Sequence, residues 1–135
     1  MTDQEPLPSL DLRLHDLLGL ELTEVGPDRV VMSWTVDERH LQPYGLVHGG
    51  VHCLVAESAA SIAGAVWLGR DGNVVGVNNS TDFIRASRPG ERLRATATPV
   101  HRGRSQQLWQ IETRDDQERL VARGQVRLQN LPRSE

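Results

Sequence analysis

Residues 48–69 read His48-Gly49-Gly50-Val51-His52-Cys53-Leu54-Val55-Ala56-Glu57-Ser58-Ala59-Ala60-Ser61-Ile62-Ala63-Gly64-Ala65-Val66-Trp67-Leu68-Gly69, and the fold is built around this stretch. Glycines open it, and the glycine-rich Gly69-Arg70-Asp71-Gly72 is a helix stop. Between them the residues are apolar or small on every side, the pattern of a helix buried all round. One residue breaks the pattern. From His40 through Gly69, Glu57 is the only Asp, Glu, Lys or Arg. Burying an unpartnered polar group costs on the order of 1–3 kcal/mol, and a carboxylate more. Glu57 is therefore either a catalytic acid or a structural one paired with an arginine from elsewhere in the chain.

The flanks read as strands. N-terminal to the helix, Leu20–Val25 and Arg29–Val36 bracket the turn Gly26-Pro27-Asp28 and form a hairpin, with Val30, Met32, Trp34 and Val36 on one face. A short amphipathic helix over Ser9–Leu18 precedes it, after a loose tail over residues 1–8. Residues 37–47 are a loop. After the helix come Asn73–Ile84, with Val75, Val77, Thr81 and Phe83 on one face, and then Glu91–His101, Gln106–Arg114 and Arg119–Gln129. These last three alternate cleanly: Leu93, Ala95 and Ala97; Trp109, Ile111 and Thr113; Leu120, Ala122, Gly124, Val126 and Leu128. Asp115-Asp116-Gln117-Glu118 is a hairpin loop. An antiparallel sheet wrapped around one central helix, an α+β arrangement, accommodates every segment. Residues 1–19 are then a tail and short helix, and 20–130 the single domain.

Bulk properties narrow the function. A chain of 135 residues is long enough for one real core. The polar N-terminus lacks the apolar core of a signal peptide, and the lone Cys53 fits a reducing cytoplasm without an intramolecular disulfide. The central segment has the length of a membrane span, yet Glu57, two histidines and many small residues argue for a buried soluble helix and no membrane partner. A net charge of −3 gives no overall pull toward nucleic acid. All fifteen basic residues are arginine, which we read as codon bias. The histidines and single cysteine have no metal-ligand spacing, so no metal is expected.

The segment Gln42-Pro43-Tyr44-Gly45-Leu46-Val47-His48-Gly49-Gly50, followed by Ala56-Glu57-Ser58 and Ser61, resembles the hotdog-fold acyl-CoA thioesterases. The likeness is to the phenylacetate-degradation, 4-hydroxybenzoyl-CoA and 1,4-dihydroxy-2-naphthoyl-CoA types. It runs from about Leu20 to Leu128 and includes Val74-Val75-Gly76, Asn78-Asn79 and His101-Arg102-Gly103-Arg104. The resemblance implies hydrolysis of an aryl- or medium-sized acyl-CoA, with the thioester as substrate and no cofactor. Thioester hydrolysis builds negative charge on the carbonyl oxygen, and a helix start offers unpaired N–H groups to meet it. By resemblance, the Gly49 amide polarises that carbonyl, helped by His48 and Gln42. Glu57 attacks, as nucleophile or as general base on water. Ser61, one turn beyond it, orients water or substrate.

The resemblance also places Gly76, Phe83, Ile84 and Arg85 along the ligand groove, and His101, Arg102, Gly103, Arg104, Ser105 and Gln106 around the nucleotide phosphates, a task suited to arginine's planar fork. His52, Cys53 and Trp109 read as packing residues. Tyr44 stands where relatives often have Phe and adds a hydroxyl near the acyl pocket. Family members form homodimers or homotetramers with shared active sites, so Glu57 is expected to face the Gln42–His48 loop of a partner chain. The alternative reading is a non-catalytic acyl-CoA sensor or carrier; a hotdog dehydratase lacks its usual His–acid motifs here.

Overall fold

The computed structural model describes residues 13–132; the tail over 1–8 and the residues 9–12 of the expected first helix lie outside them. Within that range the elements are α1 (Arg13–Leu18), β1 (Glu21–Val25), β2 (Val30–Thr35), α2 (Gly49–Leu68), β3 (Gly72–Phe83), β4 (Arg92–Arg102), β5 (Gln106–Asp115) and β6 (Leu120–Pro132). The six strands form one antiparallel sheet in the order β1-β2-β4-β5-β6-β3. The helix α2 packs against β2 to β6. This is the hotdog arrangement: one sheet around one long helix.

Period-two alternation aims Met32, Trp34, Leu93, Ala95, Ala97, Trp109, Ile111, Val126 and Leu128 at the helix, and all are buried. The helix answers with small residues. Ala59, Ala60 and Ala63 are fully buried, and Gly64 lies so close to the sheet that a Cβ there would overlap the end of Leu128. Small residues let helix and sheet approach closely, so the large side chains of the strands fill the space between them.

Four expectations about faces need correction. The helix is not buried all round: the sheet covers one side only, leaving Gly50, Glu57 and Ala65 exposed and Val51, Leu54 and Ser61 half-buried along the other. Glu57 is thus a surface carboxylate in the single chain. Second, β3 carries a bulge between Gly76 and Asn78. One extra residue reverses the alternation, so Val75 points away from α2 while Thr81 and Phe83 point toward it. Third, a register shift opposite Thr113 and Arg114 makes Val121 the extra residue of β6; it is fully buried, and Leu120 only half-buried. Fourth, Leu14 and Leu17 of α1 are exposed rather than packed. The hairpin loop after β5 lies where the sequence put it and is held by Asp115, which is buried and accepts hydrogen bonds from the Gln117 and Arg119 amides and from Arg119 Nε.

The loop before α2 is held from below by His40. Its Nδ1 accepts from the Asp37 amide at 3.0 Å, and its Nε2–H donates to the Leu18 carbonyl at 2.7 Å. The fully buried ring packs edge-on against Trp34, with centroids 4.8 Å apart. A bridge between Leu41 and Val47 and a bond from the His48 amide to the His40 carbonyl close the loop. Gln42 and the start of α2 are thereby fixed relative to the core.

Candidate functional site

At the start of α2 the backbone donors have unequal fates. The Gly50 amide donates to His48 Nδ1 at 2.8 Å, and the Val51 amide to the His48 carbonyl. The Gly49 amide has no acceptor among the described residues, which leaves it as the donor at the positive end of the helix. Because His48 Nδ1 accepts, the ring proton in this tautomer is on Nε2, and the residue is exposed. His48 is both helix cap and a ring N–H donor.

Gln42 complements this. Its Oε1 accepts from the amides of Tyr44 and Leu46, so the side-chain NH2 is the group left to donate. Gln42 and Gly49 share a pocket of about 260 Å³ with Phe83, Ile84 and Arg85; Gly76, expected in the same groove, does not line it. The Phe83 ring lies directly over Gly49: a Cβ there would come within 2.5 Å of it, so any larger residue would require this exposed ring to shift. Tyr44, expected near the acyl pocket, projects into solvent at 86% exposure and does not line the pocket in one chain.

Two polar pocket-lining residues escaped the sequence reading. His52, read as packing, is buried with Nδ1 unpartnered, and Ser87 is buried with its hydroxyl unpartnered. Burial pushes the His52 pKa down to about 4, so the ring is neutral at physiological pH. The only signal available for His52 was its position three residues after Gly49, one turn along the same helix face. Ser87 carried none.

Glu57 and Ser61 do not line this pocket. Eight residues of helix separate Glu57 from Gly49, a rise of about 12 Å. The carboxylate instead lies against β3: a Cβ on Gly76 would sit 3.3 Å from Glu57 Cδ and 3.5 Å from Oε1. Glycine at 76 is what lets the acid rest on the strand. Beside it, Asn79 Nδ2 donates to the Cys53 carbonyl and joins β3 to the helix.

The β4–β5 hairpin forms a third group, at the far end of α2. Arg102 is committed to the fold: Nη1 donates to Asp28 Oδ1 at 2.8 Å and to the Pro27 carbonyl, and the guanidinium sits over Trp67 and Trp109. Arg104 is exposed and without an ion-pair partner among the described residues. The Gly103 amide donates to the Gln106 carbonyl, and Gln106 bonds Gln129 and Arg127. His101 and Ser105 are exposed. No three His, Cys, Asp or Glu side chains converge as a metal site among the described residues.

Comparison with known proteins agrees with this architecture. Residues 44–122 match the Thioesterase superfamily. A Mycobacterium tuberculosis protein whose name marks it as a candidate esterase is 54% identical over 117 residues, 84% of this chain and 83% of that protein. The 1,4-dihydroxy-2-naphthoyl-CoA hydrolase of Escherichia coli is 37% identical over 109 residues, 81% of this chain and 79% of the enzyme. Among solved structures, S. sahachiroi AziG superposes with a TM-score of 0.85 at 55% identity, covering 88% of this chain and 96% of that one.

Proposed function

Since this chain belongs to the Thioesterase superfamily and is a thioester hydrolase, we propose that it hydrolyses an aryl- or medium-sized acyl-CoA to the free acid and CoA. The observation that carries this is the unpaired Gly49 amide beside the Gln42 NH2 and Phe83 in one pocket. Donors fixed before the reaction stabilise the oxyanion of the tetrahedral intermediate without reorganising. The thioester carbonyl is held by the Gly49 amide, with Gln42 and His48 Nε2–H as auxiliary donors. Glu57 attacks as nucleophile or activates water, and Ser61 on the same face orients the attacking group.

The separation of about 12 Å along α2 supports a site made by two chains. A carboxylate so far from its own Gly49 cannot reach a carbonyl held there, so the acid comes from a second copy. The open strand β3 offers the junction. It is an outer strand of the sheet, and Val75 and Val77 are 44% and 52% exposed on it. Pairing of two β3 edges, with Glu57 and Gly76 beside them, would place each acid at the other chain's pocket. We propose a homodimer as the minimal active unit, free to assemble further into a tetramer.

The test is thiol release from dihydroxynaphthoyl-, benzoyl-, phenylacetyl- and fatty acyl-CoA by the wild type and by Glu57→Ala. Turnover by the wild type that is lost in a folded, ligand-binding Glu57→Ala supports the reading and ranks the acyl groups. Equal turnover by both proteins removes Glu57 from the chemistry. Tight binding without thiol release from either would make the protein a carrier or sensor.

A further inference from the structure

The tip of the β4–β5 hairpin is organised by one side chain from β6. Asn130 Nδ2 donates to the Gly103 carbonyl at 3.0 Å and to the Arg104 carbonyl at 3.1 Å, and the Asn130 amide donates to the Ser105 carbonyl at 2.9 Å. Three successive carbonyls are thus turned onto one residue. In a planar trans peptide the C=O and the next N–H point in opposite directions. The amides of Arg104 and Ser105 therefore face away from Asn130, and neither has an acceptor among the described residues.

The clamp is anchored in the core. Gln107 is fully buried; its Nε2 donates to Asn130 Oδ1 at 2.8 Å, and its Oε1 accepts from Trp109 Nε1 at 2.8 Å. Its Nε2 also lies 3.4 Å from the Gly64 carbonyl of α2. These bonds set which end of the Asn130 amide points at the hairpin: oxygen toward Gln107, NH2 toward the tip. Neighbouring outward N–H groups form an anion-binding concavity, and the unpaired guanidinium of Arg104 adds a fork suited to phosphate. Arg102, which by sequence shared that role, is spent on Asp28 and the two tryptophans.

We infer that Asn130 is a positioning residue which orders the hairpin tip so that the Arg104 and Ser105 amides and the Arg104 guanidinium hold the phosphates of the CoA nucleotide. This rests on the acyl-CoA reading above, and it concerns the nucleotide end of the ligand alone. Asn130 touches no ligand itself; it acts by fixing the peptide planes of residues 103–105.

The test reads binding without turnover, so it is independent of the role of Glu57. Dissociation constants for CoA and for pantetheine, which lacks the nucleotide and its phosphates, are measured by calorimetry on the wild type, Asn130→Ala and Arg104→Ala. The wild type is expected to bind CoA more tightly than pantetheine. Asn130→Ala should weaken CoA by about tenfold, the scale of one lost charge-assisted bond, while the pantetheine constant keeps its wild-type value. Arg104→Ala, an exposed change that leaves the clamp intact, should weaken CoA alone to a similar degree. Equal wild-type affinity for the two ligands would overturn the inference, since the hairpin would then hold no nucleotide. So would CoA affinity within twofold of wild type in a folded Asn130→Ala, or parallel weakening of both ligands, which marks a purely structural residue.

Discussion

Gly76→Ala separates catalysis from stability at one position. The added Cβ would lie 3.3 Å from Glu57 Cδ and 3.5 Å from both Cγ and Oε1. Comfortable carbon contacts run to about 3.5–4.0 Å, so the carboxyl group must retreat by roughly 0.5 Å. It can do so cheaply, because Glu57 is exposed on its other side. Misplacement by about 1 Å can cost on the order of 10²-fold in rate, so half that distance predicts about a tenfold fall in kcat. Stability should move the other way. Gly76 does not have the positive φ that favours glycine, and replacing such a glycine by alanine stabilises by about 0.4–1 kcal/mol through the unfolded chain. Thiol-release kinetics and thermal denaturation on the same preparation decide the matter. A kcat within twofold of wild type would refute the placement of the Glu57 carboxylate at the reacting centre. A fall in kcat accompanied by a lower Tm would attribute the loss to unfolding instead.

Four further outcomes are expected. Glu57→Asp retracts the carboxylate by roughly 1–1.5 Å and should reduce kcat on the order of 10²-fold with the fold intact, as circular dichroism would show. Val77→Lys, at a 52% exposed edge position, should leave a folded chain that sediments as a monomer and has lost thiol release. Gly64→Ala places a Cβ into the end of Leu128 and within 2.8 Å of Gln107 Oε1, both fully buried; overpacking of this kind costs about 1–3 kcal/mol, read as a lower Tm.

The last concerns acid stability. The folded-state pKa of His52, about 4, lies below the ordinary 6.5, so the unfolded chain binds the extra proton first as pH falls. The stability contribution is complete above pH 6.5 and is lost on acidification toward pH 4. Between pH 7.5 and 4.5 the wild type should lose about 2–3 kcal/mol more than His52→Gln in denaturant titrations. Equal losses would contradict a buried neutral imidazole.

Where the sequence was readable, the signal was local and periodic. The bounds of α2, the β1–β2 hairpin, and the inward faces of β4 and β5 follow from side-chain period and turn residues, and the structure agrees with them. The motif Gln42…His48-Gly49-Gly50 was legible because a helix start has unpaired amides wherever it occurs. Misreadings fall where a second element intervenes. Two bulges, each of which depends on a partner strand, reversed the face of β3 and buried Val121 in β6. Arg102, read as a phosphate ligand, also pairs with Asp28, a contact its distance in sequence hid.

Sequence by itself determined the element order, the helix that opens on Gly49 and carries Glu57, and the family, because these are properties of spacing along one chain. The tertiary structure alone decided that Glu57 is exposed against Gly76 rather than buried, that His52 and Ser87 border the pocket, and that Asn130 gathers the hairpin carbonyls. Those outcomes depend on which side of the helix the sheet covers and on how strands pair. Both are set by contacts between residues far apart in the chain, which no local pattern encodes.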